Sequence, residues 1–167
     1  MLSQRSAVIL LVIAFVQPAN LAAGQTSEYR NLRGIRTVTV VTNDVTDADR
    51  ACGLNGRVVE AAAIEALLDS GIRVTRGNAL GDVTLRIRFS TLHFSALDVC
   101  VSSTHVDIQT WGSVAAAYTR QVVRAWVALD EVGTLISSGR REHPLRLARE
   151  VRELTERVAT HIRLANQ

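Results

Sequence analysis

Hydrophobic and polar residues alternate most regularly at Val83, Leu85, Ile87 and Phe89, which interleave with Thr84, Arg86, Arg88 and Ser90. A period of two predicts a half-buried strand with one wet face. Arg36 to Thr42 is β-branched and alternating and predicts a first strand. After a polar loop at Asn43 to Asp49, the Ala-rich stretch Leu54 to Ser70 predicts a helix. Its buried face would carry Val59, Ala63, Ala66 and Leu67, and Gly71 would end it. Ile72 to Val74 follows as a short strand, and a turn at Ser95 to Asp98 leads into a fourth strand, Val99 to Trp111. A fifth strand is expected at Tyr118 to Leu129, a turn at Asp130 to Gly133, and a short sixth strand at Thr134 to Ser137. Pro144 then suits the first turn of a closing helix whose apolar stripe is Leu147, Val151, Leu154, Val158 and Ile162.

Two registers follow from the pattern. Folding the third and fourth strands about their turn sets Leu85 against Ile108, Ile87 against Val106 and Phe89 against Thr104. The same register sets Arg86 against Asp107 and Arg88 against His105. A slip of one residue would exchange the two faces, so one register satisfies both. Extending the sheet to the fifth strand by placing Ile108 opposite Val123 would bring Arg124 to Asp107 and Trp126 to His105. The element order β-α-β-β-β-β-α, with two amphipathic helices and a mostly antiparallel sheet, predicts an α+β two-layer sandwich with both helices on one face.

The N-terminus changes the picture of where this domain works. Arg5, the apolar run Ala7 to Val16 and the small residues Ala22-Ala23-Gly24 form the pattern of a cleaved signal peptide over residues 1–24. The run is too short to span a bilayer. Residues 25–34 are expected to be a flexible lead-in, and residues 35–167 a single domain. Gln25 stands where a lipid-anchored protein would need a cysteine. The expected location is periplasmic or secreted, with no membrane span after cleavage.

Composition narrows the partners. The chain has 167 residues and a formal net charge of +3, and all its basic residues are arginine. That balance is too even to point to nucleic acid. The two cysteines, Cys52 and Cys100, are expected to form a disulfide in an oxidising compartment. Neither has a second Cys or a His at zinc-ligand spacing.

Candidate chemistry is sparse. His93, His105, His143 and His161 form no metal-binding pair at helical spacing, and no G-x-S-x-G motif occurs. His143 is expected at the start of the last helix and His161 on its polar face. Asn43, Asp44, Asp47 and Asp49 could offer oxygens to calcium, but their spacing fails the EF-hand template and suits a turn and a helix start. No catalytic residue, metal or cofactor is assigned. The candidate binding face is therefore Arg86, Arg88, His105, Asp107, Arg124 and Trp126, since Trp and Arg are enriched where interfaces are strongest. An excess of arginine would favour an acidic or carboxylate-bearing partner.

The R-T-V-T-V-V-T strand, the helix ending L-L-D-S-G-I-R-V and the W-V-A-L-D-E-V-G-T-L-I-S-S-G segment before a closing helix resemble a group of periplasmic modules of envelope machines. The group includes the N-terminal domain of the Tol-Pal translocation protein and the curli secretion lipoprotein. The resemblance implies a non-catalytic part of an envelope machine, and with the candidate face the expectation is a module that binds another envelope component, an envelope protein or an acidic envelope component, through its open sheet face. The alternative expectation is a small periplasmic hydrolase or ligand-binding protein with a site near the Asn43 to Asp49 loop.

Overall fold

The computed structural model describes residues 29–75, 83–116 and 121–167. The expected signal peptide lies outside these residues, as does the expected start of the fifth strand at Tyr118. The strands are β1 (Thr37–Thr42), β2 (Arg73–Thr75), β3 (Thr84–Phe94), β4 (Val99–Ala115) and β5 (Val122–Gly139). The helices are α1 (Asp47–Ala51), α2 (Gly56–Asp69) and α3 (His143–Ala165). The strands form one sheet in the order β2-β1-β3-β4-β5. The α+β architecture is the expected one, but the sheet is mixed. β1 runs parallel to both β2 and β3, and β3, β4 and β5 are antiparallel. Parallel pairing of β1 with β2 needs a crossover connection, and α2 supplies it.

Each helix forms for a local reason and buries a predicted face. Asn55 caps α2 by accepting the Arg57 N–H, and Val59, Ala63, Ala66 and Leu67 are buried. Gly71, at φ 78°, ends the helix in the left-handed region, and the Ile72 N–H returns to the Leu67 carbonyl. In α3 the expected stripe of Leu147, Val151, Leu154, Val158 and Ile162 is buried, joined by His143, Thr155 and Ala159. The two helices pack against each other and against one face of the sheet. Arg152 of α3 fastens their outer sides, reaching Asp69 at 2.6 Å and Glu65 at 3.4 Å. Between sheet and helices lie Val38, Val40, Leu85, Ile87, Val106, Ile108 and Ile136.

The expected polar loop after β1 holds the one-turn helix α1. Thr46 and Asp49 cap it reciprocally: the Asp49 N–H donates to the Thr46 hydroxyl, and Asp49 Oδ2 accepts from the Thr46 N–H and Oγ–H. Cys52 closes α1 and is joined to Cys100 at the start of β4, with Cα atoms 6.1 Å apart. The disulfide is the one expected. It ties the helical layer to the sheet, and both sulfur-bearing residues are fully buried.

The N-terminal lead-in is not loose from Tyr29 onward. Arg30–Leu32 form a single 3-10 turn, and Leu32 is fully buried. The Tyr29 ring stacks on His161, centroid to centroid at 4.2 Å. The polarity of Arg30, Asn31 and Arg33 concealed one anchoring leucine.

Candidate functional site: the open face of the sheet

The helices cover one face of the sheet. The other carries alternate residues of three long strands, and the β3–β4 register is the expected one at every pair. Leu85 opposes Ile108, Ile87 opposes Val106, and Phe89 opposes Thr104 on the covered side. Arg86 opposes Asp107 and Arg88 opposes His105 on the open side.

The fifth-strand register is not the expected one. Residues 122–139 form one continuous strand rather than two strands and a turn. Asp107 lies opposite Glu131, and His105 opposite Gly133. Arg124 opposes Ser113, and Trp126 opposes Trp111. Turn-forming residues stay in the strand because each has a partner across the sheet or from a helix. Asp130, on the covered face, accepts from His161 Nδ1 at 2.7 Å. Glu131, on the open face, accepts from Arg88 at 2.8 Å and from His105 Nδ1 at 3.0 Å. At Gly133 a Cβ would stand 2.8 Å from His105 Nδ1, so the missing side chain makes room for the imidazole. A bulge separates the two registers: Ile108 pairs with Asp130 and Gln109 with Ala128, so Leu129 is left over. Its carbonyl accepts from the Asn31 side chain.

The open face therefore has three zones along β4 and β5. The middle is a polar belt of Arg88, His105, Asp107, Gln109 and Glu131. Arg88 Nε donates to Asp107 Oδ1 at 3.0 Å, and Gln109 donates to the other carboxylate oxygen. Asp107 is fully buried although it lies on the uncovered side. Its salt-bridge partner is Arg88, on the diagonal, rather than Arg86 directly opposite. At the turn end stand exposed Leu92 and Phe94 of β3 and Leu135 of β5, the last 73% accessible. At the other end β4 and β5 run on past β3, whose pairing with β4 stops at Gln109. From Thr110 to Ala115 and Val122 to Val127 they pair with each other as a two-stranded ribbon. There Trp111 and Trp126 meet edge to face, centroids 5.4 Å apart.

Of the six predicted residues, the structure gathers Arg88, His105 and Asp107, with Arg86 beside them on β3, opposite Asp107. Arg124 and Trp126 share that face but lie on the ribbon, beyond the belt. Sequence reasoning missed Glu131, the hub of the belt, and Trp111. The D-E-V-G segment carries a strong turn signal, which drew Glu131 out of the strand.

His143, expected merely to open the last helix, is fully buried. Its Nε2 lies 2.7 Å from Ser102 Oγ and its Nδ1 2.8 Å from Ser138 Oγ, and Ser102 Oγ lies 2.7 Å from Thr91 Oγ1. Burial, and secondarily the charge of Arg146, hold its pKa below the ordinary histidine value. The group is a polar rivet joining α3 to β3, β4 and β5.

At the second expected location, the loop at Asn43 to Asp49, most polar groups are engaged within the fold, while Asp49 Oδ1 is buried without a partner among the described residues. Asn43 accepts from the Phe89 N–H and donates to the Phe89 carbonyl, Asp47 pairs with Arg50, and Asp49 caps α1. Among the described residues no three His, Cys, Asp or Glu side chains gather as metal ligands. A groove of about 1020 Å³ between α2 and the β1–β2 edge is lined by Arg57, Glu60, Ile64, Leu68, Val74 and Thr75, among others, and by no histidine. No helix of the described residues is long and apolar enough to cross a membrane.

No family model matches the chain, and no curated protein does. Solved structures similar to it include a lipoprotein and a PelC variant. One is a minor lipoprotein from Acinetobacter baumannii, at 11% identity and a TM-score of 0.40, over 78% of this chain and 92% of that one. The other is a dodecamer of a PelC point variant from Paraburkholderia phytofirmans, at 19% identity and a TM-score of 0.40, over 81% of this chain and 90% of that one. Likeness at this level is too loose to carry a function across.

Proposed function

We propose that the protein is an exported, non-catalytic module that binds another component of the cell envelope through the open face of its sheet. One observation carries the reading: both long helices pack on the same side, and the opposite face displays large apolar side chains at both ends of an ordered polar belt. Leu92, Phe94 and Leu135 at one end and Trp126 at the other have no core to fill. Exposed apolar clusters rimmed by polar groups mark interaction sites. The belt supplies fixed direction, because two carboxylates, Asp107 and Glu131, hold the Arg88 guanidinium in place on the open face. The buried Cys52–Cys100 disulfide supports an oxidising compartment and therefore export.

The test is capture from envelope extract by the immobilised protein, comparing three variants. Leu135→Ser and Trp126→Ala should weaken capture about tenfold or more, the scale of a hot-spot truncation. Leu145→Ser alters an equally exposed leucine on α3 and should leave capture unchanged. Equal capture by all three variants would refute the reading.

A further inference from the structure

We infer that the ribbon at the end of β4 and β5 is the pairing edge of a symmetric dimer, in which residues 122–128 of β5 pair antiparallel with the same residues of a second copy. The starting point is the sheet's edges. β2, at one edge, has three residues, whereas β5, at the other, has eighteen. Proteins protect long edge strands with lysine, proline or covering elements. β5 contains no proline, and the chain contains no lysine. Over the ribbon the sheet is reduced to two strands, and Val122, Val123 and Trp126 are 70%, 44% and 49% accessible. A two-stranded ribbon is marginal in water, and further strands with an apolar face make it stable.

The second copy is chosen by the sequence of the edge itself. The bulge at Leu129 divides the strand, and Val122 to Ala128 is the stretch on the ribbon side that can pair without a break. An antiparallel pair related by a two-fold axis through Ala125 uses all seven of these residues. On the open face it sets Arg124 against the partner's Trp126, twice, and Val122 against the partner's Ala128. On the other face it sets Val123 against the partner's Val127, and Ala125 against itself. Arg124 is the only charge in the segment, and this register lays it beside an indole face, where a guanidinium is attracted to the ring. Shifting the axis to Arg124 would oppose two like charges, which destabilises a strand pair. Shifting it to Trp126 would leave Val122 and Val123 without partners before the bulge. Directly opposite residues have Cβ atoms roughly 4.5–5.5 Å apart, close enough for both the Arg–Trp contacts and a cross-link. The result would be a four-stranded sheet across the dimer axis, with an interface identical from either side. The dimer edge shares Trp126 with the proposed capture surface, but Leu92, Phe94 and Leu135 lie outside residues 122–128, so capture by that end and dimerisation are tested separately.

The experiment uses the exported full chain purified from the periplasm. Light scattering should give the mass of two copies at high micromolar concentration. Ala125→Cys, oxidised, should give a covalent dimer, since the two cysteines meet on the axis. Leu135→Cys, on the same strand but far from its mate, should not. Arg124→Glu should raise the dimer dissociation constant about tenfold, from two lost cation–π contacts. A monomeric mass throughout would overturn the inference while leaving envelope capture untouched. A dimer cross-linked through position 135 and not 125 would overturn it as well, by placing the contact elsewhere.

Discussion

The two faces of this sheet are made by the same strands and hold polar groups in opposite ways. On the covered face the main polar groups are buried or half-buried and paired between elements: Ser102, Ser138 and Thr91 around His143, and Asp130 with His161. They join one element to another. On the open face the charges are clustered, and only Asp107 is buried; Arg88, His105 and Glu131 keep nearly half of their side-chain surface in water. On the proposed reading, the difference separates polar groups that fasten the fold from polar groups that meet a partner. Substitutions on the covered face should therefore cost stability, and those on the open face should cost binding.

The largest effect is expected where the covered side is tied to the helical layer. Replacing both Cys52 and Cys100 by alanine should lower the unfolding free energy by about 4 kcal/mol, the chain-entropy effect of opening a loop of this length. Urea unfolding measures it. His143→Ala should follow at about 3 kcal/mol, because it leaves a cavity and takes one partner from each of two serine hydroxyls, of which Ser102 keeps Thr91. The histidine also gives the covered face a pH signature. Its folded pKa lies below the unfolded value, so its contribution is complete above about pH 6.5. That contribution is lost progressively as the pH falls from there toward the lowered value. Unfolding curves of the wild type and His143→Gln across this range should converge toward acid.

On the open face the effects on folding should be smaller. Arg88→Ala leaves the buried Asp107 carboxylate with Gln109 alone and should cost about 1–2 kcal/mol, discounted because Arg88 is partly in solvent. Trp126→Ala should cost about 1 kcal/mol or less, chiefly the edge-to-face contact with Trp111. A loss of about 3 kcal/mol or more at Trp126 would erase the contrast between the faces, since that is the cost of a buried aromatic.

Much of this contrast was legible in the sequence. Strict alternation in β3 and β4 fixed their register, because a slip would have put Arg86 and Arg88 into the core. The helix stripes and the disulfide pair followed from spacing and cysteine count. The fifth strand was misread because Asp130, Glu131 and Gly133 carry turn chemistry, and the contacts that hold them extended come from residues far away in sequence: His161, Arg88 and His105. The register error followed, and it drew Arg124 and Trp126 into the polar belt when they belong to the ribbon. His143 was missed for a related reason. One histidine before a proline is an ordinary helix start, and only the fold brings Ser102 and Ser138 to its two nitrogens.

The central claim, that the open face binds, is tested most directly by a photo-activatable side chain placed at single positions in the exported protein in living cells. At Leu135 on the open face it should yield a discrete covalent adduct with another envelope component on illumination. At Leu145 on α3, with the same exposure, it should yield none. An adduct at 145 with none at 135 would contradict the account and move the binding surface to the helical side.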